Sequence, residues 1–466
     1  MQFIGIQDTG KHINNGIPNT DMELARLAEQ NPWWRARELV RDDYDLVKWG
    51  ERTPRWVPAL VEGITLEPFA FHVISGARQS GKTTALKLLI RSLLEKGTEP
   101  KSIFFFNCED VSGYAELLEV FDAYFTFRES CGVASSVFVL DEVTLPKEWY
   151  RAVKSLIDKG RFQKDVLIAT GSASMVVKRE VELFPGRRGN GKDYVLYPLS
   201  FRGFLKVEAP ELASKIKPMH ELGEIPGKAK AVLLYRGELD RHLQKYMSCG
   251  GFPLSVSSGD ASREDAKRAY LSWIKNAVLK AERSDVIARQ VLKAVVETLQ
   301  SDVSWEGISK KIEVKSPKTV SAYVDFLKSI YAVNVLYNID ANAKSIRFGK
   351  NKKIHFRDPL LLEIFEDWCL ARAGNREAAI AEGLVVEHLS RLFPESTFFW
   401  KNGFEVDAVV QDSGGRLHGF EVKWTQTPRS TKVLQQLKTF TVVTKKDYSS
   451  KPPKIPLSVF LSLFDV

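Results

Sequence analysis

The chain has 466 residues and a formal net charge of +9, and 44% of its residues are hydrophobic. That length predicts roughly two to four domains. The mild basic excess is compatible with a nucleic-acid partner, but a solvated basic surface is the more common reason for such an excess. Four scattered cysteines without a C-x-x-C pair argue against a disulfide framework and a structural zinc site. The sequence shows no apolar run of roughly 20 residues and no signal-peptide pattern, so we expect a cytoplasmic protein.

Residues 1–68 are predicted to form an extension of the domain that follows. The extension starts with a polar segment rich in glycine and asparagine and continues with four tryptophans, Trp33, Trp34, Trp49 and Trp56. We expect these tryptophans to pack the extension onto the next domain, and the alternative is a role in binding.

Residues 69–200 alternate short apolar segments with helix-forming segments. The predicted strands are Phe69–Ser75, Ser102–Asn107, Ser136–Leu140 and Val166–Thr170. This alternation is typical of an α/β domain, in which a parallel sheet carries helices on both faces.

A glycine-rich loop follows the first predicted strand. It fits the phosphate-binding P-loop pattern G-x-x-x-x-G-K-[ST], and its residues are Gly76-Ala77-Arg78-Gln79-Ser80-Gly81-Lys82-Thr83, with Thr84 after them. Apolar residues at helical spacing then predict a helix over Thr84–Leu94. In this motif the loop N–H groups and the helix amino terminus hold phosphates. We therefore expect Lys82 to contact the β- and γ-phosphates of ATP and Thr83 to bind Mg²⁺.

Two acids close the third predicted strand, Val137-Phe138-Val139-Leu140-Asp141-Glu142. One strand separates this segment from the P-loop, so its end is expected to complete the metal site. We expect Asp141 to hold Mg²⁺ through water and Glu142 to orient and deprotonate the attacking water.

Two later positions are candidates for contacts with the γ-phosphate. Thr170 ends the fourth predicted strand and precedes Gly171 and Ser172. A polar side chain there is placed to contact the γ-phosphate and the water, and the alternative is a strand-ending turn. Arg187, in Gly186-Arg187-Arg188, is a candidate to stabilise transition-state charge in the same or a neighbouring subunit. The alternative for Arg187 is a basic surface turn.

Residues 201–283 are predicted to form a helical lid, and residues 284–350 a winged helix. In the second region, Ile308–Ile312 and Pro317–Ser329 predict a helix–turn–helix, and Tyr331–Tyr337 predicts a strand of the wing. Four lysines are candidates for contacts with DNA phosphates, and the alternative is a packing module with solvated lysines. They are Lys310, Lys311, Lys315 and Lys318.

Residues 351–466 return to mixed α and β structure, and a predicted hairpin there carries two carboxylates and a lysine. Asp407 lies in its first strand, and Glu421 and Lys423 lie in its second strand, where residues i and i+2 face the same way. Metal-assisted phosphodiester hydrolysis requires carboxylates that hold Mg²⁺, and a lysine can position the water. The alternative is an ordinary amphipathic hairpin with a surface ion pair.

From Trp33 onward, most of the chain resembles a prokaryotic and archaeal group of AAA-type ATPases. The P-loop segment, Gly76–Thr84, is similar to the group's GPRQxGKTT sequence. The other similar segments are Leu140-Asp141-Glu142 with Trp149, Thr170-Gly171-Ser172, Gly186-Arg187, Tyr197-Pro198-Leu199-Ser200-Phe201, Gly250-Gly251-Phe252-Pro253 and Arg357-Asp358-Pro359. Gly203 departs from the group's pattern, which usually has a glutamate there.

The resemblance implies an AAA-type ATPase core, a winged-helix segment and a C-terminal α/β domain of the PD-(D/E)XK nuclease type. It also implies that an acid from a preceding helix joins Asp407 and Glu421 at a metal site. Glu382 matches that position, with Glu387 as a possible substitute. We therefore expect a Mg²⁺-dependent ATPase that acts on or with DNA and carries a nuclease-like domain whose activity the sequence leaves open. The alternative is a nucleotide-switched regulator or scaffold that binds a protein partner and cuts nothing, and a homo-oligomer is compatible with both.

Overall fold

A computed structural model describes residues 20–171, 184–257, 260–314, 316–424 and 435–466. The first helices are α1 (Thr20–Gln30), α2 (Tyr44–Gly50) and α3 (Leu60–Gly63). Trp33 and Trp34, between α1 and α2, are buried, and both indole N–H groups donate to the backbone oxygen of Ile103. These contacts fasten the extension to the strand that contains Ile103.

The first sheet has five strands in the order β2-β3-β4-β1-β5, and all of its neighbouring strands are parallel. The strands are β1 (Ala70–Ser75), β2 (Ile103–Asn107), β3 (Val137–Asp141), β4 (Val166–Gly171) and β5 (Asp193–Val195), with the helices α4 (Lys82–Glu95), α5 (Tyr114–Ser130) and α6 (Trp149–Asp158) between them. Their apolar side chains form one buried core, as is typical of a parallel sheet covered by helices. The predicted α/β fold of this region is confirmed, and the carboxyl ends of β1, β3 and β4 lie side by side.

Helices dominate the chain from residue 201 to residue 329. They are α7 (Phe201–Glu208), α8 (Pro210–Lys215), α9 (Ile225–Val232), α10 (Arg236–Cys249), α11 (Pro253–Val256), α12 (Asp260–Lys280), α13 (Asp285–Glu297), α14 (Trp305–Lys311) and α15 (Pro317–Ser329). Ser304 and Ser316 cap α14 and α15 by accepting N–H groups of the first turn, which favours helix starts at these points. The turn before α11 requires glycine, because a Cβ on Gly251 would lie 2.0 Å from the backbone oxygen of Leu199. No described helix has the length and apolar content needed to cross a membrane.

The second sheet has eight strands of mixed direction in the order β12-β13-β11-β10-β9-β8-β6-β7. The strands are β6 (Val333–Asp340), β7 (Ser345–Phe356), β8 (Thr397–Asn402), β9 (Phe404–Gln411), β10 (Leu417–Lys423), β11 (Leu437–Thr444), β12 (Ser449–Ser450) and β13 (Pro453–Pro456), with the helices α16 (Pro359–Cys369), α17 (Arg376–Leu392) and α18 (Leu457–Ser462). The hairpin β6–β7 follows α15 and also joins the C-terminal sheet through β8. Strand β7 therefore runs across the boundary predicted at residue 350, and the division into domains stays a prediction.

A buried group of charges joins the C-terminal region to the segment that leaves the first sheet. Glu387 of α17 accepts hydrogen bonds from Arg357 at 2.9 Å and from Arg391 at 2.7 Å, and Arg391 also donates to the backbone oxygen of Pro198. Burial alone would raise the pKa of Glu387, but the two guanidinium groups hold it at about 2. Glu387 is thus committed to this group, and the expectation that it substitutes for Glu382 is wrong.

Candidate functional site

The loop between β1 and α4 has a shape that depends on its glycines. Gly81, the N-cap of α4, has a φ of +94°, which lies in the left-handed region that favours glycine. A Cβ on Gly76 would lie 2.4 Å from the backbone oxygen of Leu196. The loop therefore stays close to the sheet and leads into the amino terminus of α4, where the helix N–H groups and dipole favour an anion.

A cavity of about 460 Å³ lies over this loop, within the range of roughly 300–1,000 Å³ that is usual for ligand pockets. Its lining combines the P-loop with the end of β3 and with three other regions of the chain. The lining residues are Arg52, Arg78, Gln79, Gly81, Lys82, Thr83, Thr84, Asn107, Glu109, Asp141, Glu142, Pro253 and Leu254. The structure thus brings the predicted phosphate-binding loop and the two predicted acids to one site.

Lys82 is held at the base of this cavity. Its Nζ donates to the backbone oxygens of Gly76 and Ala77, each at 3.1 Å, and only 5% of the residue is exposed. Burial lowers the pKa of Lys82, while the charges of Glu142 and Asp141 act to raise it. The ammonium group therefore has acceptors that an anionic ligand can replace.

Asp141 connects the loop to the strand beside it. Its Oδ2 accepts a hydrogen bond from the Oγ1 of Thr83 at 2.6 Å, and its Oδ1 accepts one from the Oγ1 of Thr170 at 2.5 Å. Only 3% of Asp141 is exposed, so the carboxylate is held in a fixed place. A P-loop hydroxyl beside a carboxylate at a strand end is the arrangement that holds Mg²⁺ in P-loop enzymes.

Thr170 lies behind the acids and is not among the described residues that line the cavity. Besides donating to Asp141, its Oγ1 accepts the backbone N–H of Glu142 at 2.9 Å, and the residue is fully buried. The side chain therefore orients both acids. Its contact with a γ-phosphate stays a prediction, and Ser172, from the same strand end, lies outside the described residues.

Glu142 has an unusual backbone conformation at the edge of the cavity. Its φ of +50° is uncommon for a residue with a side chain, and strain of this kind, of order 1–3 kcal/mol, is concentrated at functional sites. The hydrogen bond to Thr170 and a second one from Val143 N–H to the backbone oxygen of Thr170, at 2.9 Å, hold this conformation. They place Glu142 in the cavity lining.

These residues fit a nucleoside triphosphate with a magnesium ion. The cavity lies at a helix amino terminus with the ammonium of Lys82 beside it, and the Oγ of Ser80 is buried with no hydrogen-bond partner in the described part of the chain. Thr83 and Asp141 supply oxygen atoms, which are the ligands that Mg²⁺ prefers. The donor set thus matches both the charge of the phosphates and the ion that accompanies them.

Arg187 does not reach this cavity. Its guanidinium donates to Asp158 at the end of α6 at 2.6 Å and to the backbone oxygen of Pro185 at 3.3 Å. Arg188 donates to the backbone oxygen of Phe71 at 3.1 Å. A role for Arg187 in the site of its own chain has no support in this arrangement, and a role in a neighbouring subunit stays a prediction.

Sequence reasoning missed the residues that border the cavity on its apolar side. Arg52 comes from the extension and Pro253 from the start of α11, and both also line a small pocket together with Trp49 and Trp56. The indole of Trp49 donates to the backbone oxygen of Trp56 at 2.8 Å, which fixes the two residues relative to each other. An arginine between tryptophans was the available signal, but the same pattern also fits plain packing.

The C-terminal carboxylates also converge, but they converge on a lysine. Lys353 of β7 has 1% of its side chain exposed, and its Nζ lies 2.8 Å from Glu382 of α17 and 2.8 Å from Asp407 of β9. Glu405 of β9 lies 2.5 Å from the same atom. Burial lowers the pKa of Lys353, but the charges of the three carboxylates outweigh it and raise the pKa well above its usual value.

Glu421 and Lys423 of β10 form the second part of this cluster. Lys423 donates to Glu421 at 2.5 Å, and Asp407 accepts the backbone N–H of Val422 at 2.8 Å. Burial and then the charge of Asp407 raise the pKa of Glu421 to about 7 and that of Glu382 to about 7. The four predicted residues thus lie together, and the buried ammonium among them was missed by sequence reasoning.

This cluster does not fit a divalent metal ion as it stands. Mg²⁺ lies about 2.0–2.1 Å from its oxygen ligands, and the place between Glu382 and Asp407 is taken by the Nζ of Lys353. Across the described ranges, no group of three or more His, Cys, Asp or Glu residues is arranged to hold a metal ion. The cluster holds an ammonium where metal-assisted hydrolysis requires a metal.

Three of the four lysines of the predicted helix–turn–helix lie at the surface. Lys310 pairs with Glu306 at 2.7 Å, and Lys311 and Lys318 are exposed. Lys315 lies outside the described residues. This placement is compatible with contacts to phosphates and equally with solvated side chains.

A second basic feature is a bulge in the hairpin β6–β7. Beside Tyr337 the pairing of β7 skips from Lys352 to Arg347, so the residues between them bulge outward. Phe348 in this bulge is 64% exposed, and its ring meets that of Tyr337 edge-on at 5.2 Å between centroids. The bulge therefore presents an aromatic ring between Arg347 and Lys350, which are both exposed.

Three segments of the chain match known family models. Residues 69–205 match an AAA domain, residues 240–367 match a domain of unknown function, DUF8612, and residues 377–454 match a domain of unknown function, DUF4143. The first match assigns the P-loop and the acids of β3 to an AAA-type P-loop ATPase domain.

Proteins similar to this chain include distant ones. An uncharacterized protein of Haemophilus influenzae is 25% identical over 272 residues, which cover 56% of this chain and 60% of that protein, less than two thirds of its length. A Walker-type ATPase of Pyrococcus abyssi is 12% identical, with a TM-score of 0.34 over 71% of this chain and 95% of that chain. The Aeropyrum pernix ORC1 protein, solved in complex with DNA, is 14% identical, with a TM-score of 0.31 over 77% of this chain and 95% of that chain.

Proposed function

We propose that the chain, whose residues 69–205 form an AAA-type ATPase domain, hydrolyses ATP with Mg²⁺. The observation that carries this proposal is the shared cavity of Lys82, Thr83, Asp141 and Glu142 at the carboxyl end of the parallel sheet. A buried ammonium, a hydroxyl in contact with a carboxylate and an acid in the cavity lining are the groups that phosphoryl transfer to water requires.

Each residue has a distinct task in this reaction. The loop N–H groups and Lys82 bind and orient the phosphates, and Thr83 and Asp141 hold the ion, which neutralises phosphate charge when bound. Glu142 orients the attacking water and accepts its proton. Thr170 keeps the two acids in position through its two hydrogen bonds.

The base of the nucleotide is expected to lie on the apolar side of the cavity. Arg52, Trp56 and Pro253 line this side or the small pocket next to it. Aromatic rings and a guanidinium plane offer flat surfaces on which a purine can stack. The extension would then contribute to nucleotide binding as well as to packing.

We further propose that the ATPase acts on or with DNA, with residues 284–350 as a winged helix. The support is the set of exposed basic residues in this region, Lys310, Lys311, Lys318, Arg347 and Lys350. Lysine and arginine supply sequence-independent affinity for phosphates, and an exposed aromatic ring such as that of Phe348 can stack on a base or insert between bases.

For residues 351–466 we propose the PD-(D/E)XK nuclease-like fold. The support is the mixed sheet and the common cluster of Glu382, Asp407, Glu421 and Lys423. Mg²⁺-dependent DNA cleavage that Asp407→Ala abolishes would establish nuclease activity.

The second candidate function is a nucleotide-switched regulator or scaffold that binds a protein partner and cuts nothing. The position of Lys353 among the carboxylates favours this candidate, because a metal-dependent nuclease needs that position for its ion.

The ATPase rate with and without single-stranded, duplex and branched DNA distinguishes the two candidates. If DNA is the partner, we expect it to change the rate, and we expect DNA binding to weaken steeply with salt because phosphate neutralisation releases counterions. Turnover that no DNA alters, together with no DNA binding at low salt, would leave the regulator as the better candidate. Retained ATP turnover after Lys82→Ala would overturn the ATPase assignment itself.

A further inference from the structure

The ammonium of Lys353 makes three contacts with carboxylates. Glu382 and Asp407 lie 2.8 Å from its Nζ, and Glu405 lies 2.5 Å from it. The contacts with Glu382 and Asp407 are hydrogen bonds, and the contact with Glu405 is an ion pair. Because 1% of the side chain is exposed, water does not compete for these donors.

The backbone and the neighbouring charges fix this arrangement. Lys353 is paired with Leu336 of β6 in the hairpin register. The second oxygen of Glu405 lies 3.2 Å from the Nζ of Lys401, and the second oxygen of Asp407 accepts a backbone N–H of β10. The lysine is therefore built into the sheet.

Further titratable groups face the same cluster. Lys423 pairs with Glu421, and a second oxygen of Glu421 is buried with no hydrogen-bond partner in the described ranges. The Nε2 of His355 lies 3.8 Å from Glu382. Lysine side chains of the same chain are thus the main charged partners of these four carboxyl groups.

We infer that Lys353 is a built-in cation that takes the place of a divalent metal ion in this carboxylate cluster, so that the domain does not cleave phosphodiester bonds. With the lysine in place, no described group of three or more acids is arranged to hold a metal ion, so a metal site requires the carboxylates to close in after the ammonium is removed. Without the ammonium, Glu382, Glu405 and Asp407 would surround one point while carrying uncompensated buried charge, which is strongly unfavourable. A divalent cation is the ligand that this arrangement would take. The inference does not depend on ATP hydrolysis at the P-loop.

Manganese binding to the full chain tests this inference. Asp141→Asn removes the carboxylate of the P-loop metal site, and all measurements use this background. We expect it to bind no Mn²⁺ at the C-terminal cluster in calorimetric titrations and to show the same melting temperature in Mn²⁺ and in EDTA. When Lys353→Met is added, we expect the chain to bind about one Mn²⁺ ion. We also expect its melting temperature to rise as the Mn²⁺ concentration rises. Asp407→Asn should remove that new site.

Lys352→Met is the matched control. Lys352 is the preceding residue of β7, and its Nζ lies 5.0 Å from the ring centroid of Trp305. This variant removes an ammonium from the same strand without touching the carboxylates, so we expect it to gain no Mn²⁺ site.

Several results would overturn the inference. One is that the Asp141→Asn chain binds Mn²⁺ and that adding Asp407→Asn removes this binding. Another is Mn²⁺-dependent DNA cleavage by the unsubstituted chain that Asp407→Asn abolishes. A folded Lys353→Met variant that gains no Mn²⁺ site would also contradict it. If Lys353→Met does not fold, the titration of the Asp141→Asn chain with and without Asp407→Asn decides alone.

Discussion

Replacement of Thr170 by valine removes one hydroxyl and keeps the branched shape of a fully buried side chain. That hydroxyl donates to Asp141 at 2.5 Å and accepts the N–H of Glu142 at 2.9 Å. A hydrogen bond to a charged group contributes about 1.5–3 kcal/mol and a neutral one about 0.5–1.5 kcal/mol. We therefore expect Thr170→Val to lower the free energy of unfolding by about 2–4.5 kcal/mol, as measured by urea denaturation.

The same substitution is expected to affect catalysis more than binding. Thr170 lies behind the acids, so its loss misplaces Asp141 and Glu142 while leaving the phosphate-binding loop intact. Each 1.4 kcal/mol of lost transition-state stabilisation lowers the rate about tenfold. We expect kcat for phosphate release to fall at least about tenfold, with the Kd of a fluorescent ATP analogue changed by less than about threefold.

Thr170→Ser is the control, because serine retains both hydrogen bonds. We expect it to stay close to the unsubstituted chain in stability and in kcat. A Thr170→Val variant with an unchanged kcat would refute the positioning role. Loss of ATP affinity with ADP affinity unchanged would instead support a direct contact between Thr170 and the γ-phosphate.

Three further predictions concern other parts of the molecule. Lys82→Ala should abolish nucleotide binding or turnover, and Glu142→Gln should bind ATP without hydrolysing it. Nucleotide titration measures the binding, and a phosphate-release assay measures the hydrolysis. Glu387 has a pKa of about 2 in the folded chain against a usual 4.5, so its stabilising effect is present above pH 4.5 and lost as pH falls towards 2. In the unsubstituted chain the free energy of unfolding should fall by about 3 kcal/mol over this pH range, and Glu387→Gln should abolish this fall. Urea unfolding at a series of pH values measures it, and the same pH dependence in both chains would contradict the prediction. Phe348→Ala should weaken DNA binding and leave its salt dependence nearly unchanged. Lys350→Glu should weaken DNA binding and also reduce its salt dependence. If both variants bind DNA as tightly as the unsubstituted chain, the bulge is not part of the DNA interface.

The nucleotide site could be predicted largely from sequence because its parts are local. Residues 76–83 form a continuous motif whose glycines, lysine and threonine have fixed tasks. Asp141-Glu142 ends a short apolar strand, and parallel strands bring their carboxyl ends to the same side of a sheet. The motif and the sheet topology were therefore sufficient to predict that Lys82, Thr83 and Asp141 share one cavity.

The parts that sequence reasoning missed depend on contacts between distant segments. Arg52 reaches the cavity only because the extension folds back over the P-loop, and Lys353 meets its carboxylates only because β7 belongs to the C-terminal sheet. A lysine in a run of basic residues usually indicates a solvated surface. Burial reverses that interpretation, and burial is a property of the folded chain. The contact of Arg187 with Asp158 likewise depends on the folded chain, and a role for Arg187 in a neighbouring subunit stays a prediction.

Strand β7, which pairs with β6 and belongs to the C-terminal sheet, affects the behaviour of fragments of this protein. A fragment that starts with α17 retains Glu382, Glu405 and Asp407 but leaves Lys353 behind on the discarded segment. Such a fragment lacks the ammonium that lies among these carboxylates, so we expect it to bind Mn²⁺ where the intact chain does not. In this architecture a truncation removes the counter-ion of carboxylates that remain in the fragment.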